Sequence, residues 1–66
     1  MKADLVDLTL HVVCRSRSGK ALQVYDASPD EKVWLPISEI ETEPLRDDLA
    51  IITMPRWIAR EKGLIA

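Results

Sequence analysis

The residues best suited to chemistry are His11 and Cys14, the only histidine and the only cysteine of the chain. Both lie in an opening segment whose apolar side chains occupy even positions from Val6 onward, with Val13 as the exception. This alternation predicts a half-buried strand, because successive strand side chains point to opposite faces. His11 would lie on the polar face and Cys14 on the core face, as a small hydrophobe. A nucleophile needs its base within hydrogen-bond reach, so the pattern predicts no Cys–His pair and no catalytic residue.

The acidic stretch 39–48 supplies carboxylate oxygens, the ligands that hard divalent cations prefer. Its spacing fits no calcium loop, and it lacks the glycine of such a loop. The whole chain has only two glycines, which excludes a glycine-rich phosphate loop. The sequence therefore predicts no metal and no cofactor. It indicates instead a solvated loop carrying Glu39, Glu41, Glu43, Asp47 and Asp48.

A predicted hairpin at residues 15–20 is the first candidate for binding. It holds Arg15, Arg17 and Lys20 and no acid, and Tyr25 follows on the next predicted strand. Cations beside aromatic residues are how small barrels hold single-stranded nucleic acid. The net charge of −2 weighs against this partner, since phosphate contacts dominate affinity. We therefore expect at most weak nucleic-acid binding through this hairpin and disfavour it.

The second candidate is the pair of aromatic residues Tyr25 and Trp34, on strand faces opposite the predicted core. Large aromatics bury much area at an interface at low entropic cost, so both would mark a partner-binding site if exposed. The alternative places Trp34 beneath the C-terminal helix, in a second small core. The sequence favours that alternative.

Four strands and one helix are expected to position these residues. Alternation and turn residues indicate strands at 6–14, 20–26, 31–35 and 49–54, with Pro36 ending the third. Antiparallel meander order follows from the short turns. A small sheet of this kind avoids open edges by curling into an SH3-like, partly open barrel. A flat sheet with one helix across it is the alternative.

The connection 37–48 is the least regular part of the chain. Ser38 and Glu41 have capping-box spacing, which allows a single helical turn, and Pro44 prevents a long helix. The sequence does not indicate whether Ile51 or Ile52 faces the core.

A short C-terminal helix is predicted at residues 56–62. Pro55 suits its first position and Gly63 suits the residue after its last turn. Because two turns are unstable alone, the helix must dock on the sheet. Trp57 is the expected structural anchor for that docking.

Composition and length indicate one small β-rich domain over 1–66, of the mostly β (α+β) class. Apolar residues make up 47% and charged residues 30%, the balance of an ordinary globular protein. A chain of 66 residues has little room for a deep cleft, which lowers the expectation of catalysis. It has no apolar run of about 18 residues and no signal-like start, so we expect a cytoplasmic protein with no membrane contact. The lone Cys14 fits a reducing compartment.

The C-terminal pattern is Trp57-Ile58, three variable residues, then Lys62-Gly63-Leu64-Ile65. Together with Trp34-Leu35-Pro36 it resembles a group of short, uncharacterised bacterial and phage-encoded proteins that share this ending. The chain differs from that group at Ile37 and Glu39, where its members carry Lys and Gln. The resemblance covers roughly the second half of the chain. It implies a fold and a phage or prophage neighbourhood, and no activity.

The sequence alone names no function. The leading interpretation is a non-enzymatic protein-interaction or accessory module, with an unknown protein partner or self-association. The alternative is the weak nucleic-acid binder described above. An enzyme is not expected.

Overall fold

One long strand organises the sheet in the computed structural model, which describes residues 4–65. Its elements are β1 (Leu5–Arg15), β2 (Ala21–Tyr25), β3 (Val33–Pro36), β4 (Glu41–Arg46), β5 (Leu49–Pro55) and α1 (Arg56–Glu61), with a 3₁₀ turn at Ile37–Glu39. All strand pairs are antiparallel, in the order β3-β2-β1-β5-β4. Residues 5–11 of β1 pair with β5 and residues 11–15 pair with β2, so β1 belongs to both halves of the sheet.

The predicted class, a mostly β antiparallel fold with a short C-terminal helix, is confirmed. The strand count of four is wrong, because β4 lies within the connection 37–48. All six residues of β4 are exposed, so no apolar alternation marks it, and edge strands tolerate a residue such as Pro44. Meander order holds for β1 to β3 and fails for the last strand, since β5 returns beside β1. β3 and β4 are the two edges, and the sheet is not closed.

The core lies on one face of this sheet and is entirely aliphatic. Its buried members are Leu10, Leu22, Val24, Leu35, Ala50, Ile52, Met54, Ile58 and Ala59. The predicted inward face of β2 is confirmed, and the core also shows that Ile52 rather than Ile51 faces inward.

A β-bulge in β1 overturns the predicted placement of Cys14. Val12 pairs with Val24 and Cys14 with Gln23, so Val13 is an extra residue without a partner. The bulge moves Cys14 from the core face to the opposite face, where it is exposed. Residue-by-residue alternation cannot anticipate this, because one extra residue reverses the sides of every residue after it.

Helix α1 docks through Ile58 and Ala59, which are 1% and 0% exposed. The prediction that Trp57 anchors the helix is wrong, since Trp57 is 62% exposed. Neighbouring helical residues point about 100° apart, so a helix this short buries only a narrow stripe. Pro55 also precedes the first helical residue, as the N-cap, rather than occupying it.

α1 ends just before Gly63, as the sequence predicts. Gly63 has a φ of 76°, and its N–H donates to the carbonyl of Arg60. The N–H of Leu64 donates to the carbonyl of Ala59 at 2.8 Å, which completes a Schellman motif. The chain therefore turns back and packs Leu64 against the core.

A single helical turn follows β3 as expected, but without the predicted capping box. The 3₁₀ turn begins at Ile37, after Pro36, and no side chain caps it. The N–H of Ile37 donates to the carbonyl of Lys20 at 2.9 Å, which ties the turn to the β1–β2 hairpin. Over residues 4–65, no helix is long and apolar enough to cross a bilayer.

Candidate interaction surface

The face of the sheet opposite the core carries the aromatic candidates Tyr25 and Trp34, and we call it the outer face. α1 packs with the buried residues of the other face. Strand pairing arranges the outer face in rows, of which two matter here. One row is Cys14, Gln23 and Trp34, and the next is Leu49, His11 and Tyr25.

Trp34 lies on the outer face of the edge strand β3 and is 42% exposed. The favoured prediction, that the C-terminal helix covers it, is wrong. Leu35, its neighbour in the strand, is fully buried, so Trp34 must point away from the core that the helix seals. An indole of this size beside solvent is a candidate anchor for a partner.

Tyr25 is half-buried because the ring of His11 stacks on it. The two ring centroids are 4.5 Å apart and the rings are tilted by only 9°. His11 Nδ1 lies 3.0 Å from Asp48 Oδ2, in the turn between β4 and β5. No local pattern indicates this partner of His11, because Asp48 is 37 residues away in the chain. These contacts hold the Tyr25 ring in place, so it is a preordered part of the outer face.

The bulge places Cys14 on the outer face with His11, contrary to the prediction of opposite faces. The thiol of Cys14 donates to Gln23 Oε1 at 3.4 Å, and His11 is held by Asp48 instead. A nucleophile activated by this histidine would need a hydrogen bond between the two. Across residues 4–65 the structure forms no such bond.

The predicted basic hairpin is present and ordered. Ser16 shapes it: its Oγ accepts the backbone N–H of Lys20 at 3.1 Å and that of Ala21 at 3.0 Å. Gly19 adopts a φ of 77°, as a tight turn requires. Arg15 and Arg17 are exposed, as is Lys20. Within the described residues none of these three forms an ion pair.

Acidic residues gather at the opposite edge of the sheet. Glu41 pairs with Thr53 and Glu43 with Ile51, which places both carboxylates on the outer face. The turn that follows β4 adds Asp47 and Asp48. In the part of the chain described here, no three His, Cys, Asp or Glu side chains converge as metal ligands would.

Trp57 forms a second exposed aromatic site that sequence reasoning missed. It borders a shallow groove of about 410 Å³ together with Pro55 and Arg60. Beside it, Arg56 Nε donates to Asp4 Oδ2 at 2.6 Å. This hydrogen bond, with the attraction between the two opposite charges, lowers the pKa of Asp4 and raises that of Arg56. Trp57 is predicted as the anchor because a two-turn helix has to dock on the sheet, and the structure shows that Ile58 and Ala59 provide that docking.

No protein-family model, curated protein or solved structure matched the chain.

Proposed function

We propose that this protein is a non-enzymatic interaction module that binds a protein partner through the outer face around Trp34 and Tyr25. One observation carries the proposal: every aromatic residue of the chain lies outside the core. Trp34 is 42% exposed and Trp57 is 62% exposed, while the core is aliphatic throughout.

A domain of 66 residues has little apolar surface with which to stabilise itself. Because both tryptophans lie at the surface, their hydrophobic side chains add little to the stability of the core. Trp and Tyr are the side chains most enriched at the energetic centres of interfaces. The rigid His11–Tyr25 stack beside Trp34 reduces the entropy lost on binding, which favours recognition further.

Recognition through a sheet edge is disfavoured by comparison. β4 is an open edge, but Pro44 removes one backbone donor and Glu41 and Glu43 add like charges. β3 is only four residues long and ends in Pro36. Both edges have features that block strand addition, so the partner is expected on the face.

Site-specific photo-crosslinking tests the proposal. A photoreactive side chain replaces Trp34 in the full chain, which is then irradiated in cells. The matched control places the same group at Glu61, an exposed position on α1. We expect a discrete adduct from position 34 and none from position 61. The absence of any adduct from position 34 above the control would refute the module.

A second candidate, weak binding of single-stranded nucleic acid, gains support from one arrangement. The basic hairpin adjoins the row that contains Gln23 and Trp34, so its turn carries Arg17 and Lys20 at the end of the sheet nearest the exposed indole. Arg15 pairs with the buried Leu22 and therefore lies on the core side of the sheet. Titration of labelled oligonucleotides at low salt tests this candidate. Binding should fall when Arg17 and Lys20 become alanine. It should stay unchanged when Arg60 and Lys62 become alanine, a matched control that also loses two positive charges. If both variants lost the same affinity for the oligonucleotide, the binding would depend on net charge alone and not on the hairpin.

Two finer features belong to the same proposal. If the edges β3 and β4 curled toward each other, the five strands would follow chain order around a barrel with one gap. This strand order supports an SH3-like, partly open barrel. The exposed free thiol of Cys14 favours a reducing compartment such as the cytoplasm. Membership of the phage-related group remains a prediction from the C-terminal pattern.

A further inference from the structure

Opposite charges are separated on this molecule rather than paired within it. The basic hairpin, residues 15–20, carries three cations and no acid. The acidic hairpin, defined as residues 41–48, carries four acids and only Arg46. Over residues 4–65 the only ion pairs are Asp4–Arg56 and His11–Asp48, so neither hairpin neutralises the other. β2, which follows the basic hairpin, and β4, which begins the acidic hairpin, flank the β1–β5 pair on opposite sides.

We infer that the partner of the outer face is a second copy of this chain, packed face to face about a two-fold axis. The inference rests on the proposed function, because it uses the same surface. In such a dimer any residue pair across the interface occurs twice. A two-fold axis lying in the interface between the two hairpins therefore sets each basic hairpin against the acidic hairpin of the other copy. Each charged hairpin of one copy is then neutralised by the oppositely charged hairpin of the other.

The centre of the face has side chains suited to such a contact. Between the two hairpins lie the stacked His11 and Tyr25 and the half-buried Leu49 and Ile51, with Trp34 at the margin. Charged rims around a less polar centre are typical of protein interfaces, and complementary charge fixes their orientation.

The area available is sufficient for a specific dimer. A standard interface buries about 800 Å² on each partner. The chain exposes 4807 Å² in total, so a dimer of this kind covers about one sixth of it.

Sedimentation equilibrium of the full chain tests the inference. We expect the mass to rise from 7.5 kDa toward twice that value between about 5 µM and about 1 mM protein, and to fall again at high salt. Two charge-reversal variants then locate the contact. One carries Arg17→Glu with Lys20→Glu, and the other carries Glu41→Lys with Glu43→Lys. Each alone should weaken self-association at least about tenfold, because like charges then meet twice.

Mixing the two variants gives the decisive result. An equimolar mixture should form a heterodimer, since each reversed hairpin then meets an opposite charge on the other chain. The matched control reverses Arg60 and Lys62 to Glu, far from the face, and should dimerise like the original chain. A chain that stays monomeric at about 1 mM, or variants that dimerise undiminished, would overturn the inference.

The crosslink at position 34 separates this failure from failure of the proposed function. An adduct of twice 7.5 kDa supports the dimer, whereas an adduct to a different protein upholds the module and overturns self-association. An adduct to nucleic acid overturns the dimer and the protein-binding module alike.

Discussion

Ile58, rather than its neighbour Trp57, should hold α1 on the sheet. Ile58 is 1% exposed and packs among the buried residues of β1 and β5. Ile58→Ala removes buried carbon atoms and leaves a cavity, which costs about 2–5 kcal/mol in well-packed cores. A domain of 66 residues has a total stability of about 3–10 kcal/mol. The substitution should therefore remove roughly half of the free energy of unfolding.

Trp57→Ala should cost much less. About two fifths of the side chain is shielded, so at most about 100 Å² of its roughly 250 Å² returns to water. At about 25 cal/mol per Å² this sets a ceiling near 2.5 kcal/mol. Alanine regains about 0.5 kcal/mol through its higher helix propensity, and the freed indole regains rotamer entropy. The expected net loss is about 1 kcal/mol.

Far-UV circular dichroism during thermal and urea unfolding measures both variants without relying on tryptophan fluorescence. A loss of 1 kcal/mol lowers Tm by about 4–8 °C in a domain of this size. We expect a drop of at least about 12 °C for Ile58→Ala and about 4–8 °C for Trp57→Ala. Ile58→Val, with a cost of about 0.5–1.5 kcal/mol, is the graded control. Equal losses for Ile58→Ala and Trp57→Ala would refute the docking of α1 described here.

Three further predictions concern local geometry and pH. Gly63→Ala should destabilise the fold by about 1 kcal/mol in urea unfolding, because alanine resists a φ of 76° although its Cβ meets no neighbour. Asp47→Gly should raise Tm slightly, since Asp47 holds a φ of 49°; a lower Tm would show that its side chain is needed. The Asp4–Arg56 pair lowers the pKa of Asp4, so its contribution is complete above the ordinary value of 3.8 and is lost as pH falls through the lower folded value. Asp4→Asn should therefore make stability less dependent on pH below about 4, as followed by acid titration of circular dichroism.

The sequence predicted the elements whose apolar residues follow a simple period. Leu22 and Val24 face the core as their spacing requires, and Gly63 ends the helix as its type suggests. These assignments depend only on local chemistry, which each segment carries in its own residues.

The predictions fail where the local structure depends on one inserted residue or on a contact with a distant part of the chain. Val13 enters β1 as a bulge and turns Cys14 outward. Its apolar side chain breaks the alternation at that point, but one exception does not reveal that an extra residue has entered the strand pair. β4 is exposed along its whole length, so it has no buried face that a sequence pattern could reveal. It is a strand only because its backbone pairs with β5.

The sequence predicts that both tryptophans are interior, Trp57 as the anchor of the C-terminal helix and Trp34 beneath that helix. For Trp34 and Trp57 the deciding fact was the position of the helix on the sheet, which no local pattern contains. The row that joins Cys14 and Gln23 with Trp34 could not be predicted either, since pairing across three strands creates it.

The central claim is that Trp34 faces water in the isolated chain and is covered by a partner. Acrylamide quenching of a Trp57→Phe variant, whose only indole is Trp34, tests it directly. We predict strong quenching in dilute protein and progressive protection as protein concentration rises, with no protection of Trp57 in the matched Trp34→Phe variant. An indole already shielded in dilute solution, or one equally quenched at every concentration and with every partner offered, would contradict the account.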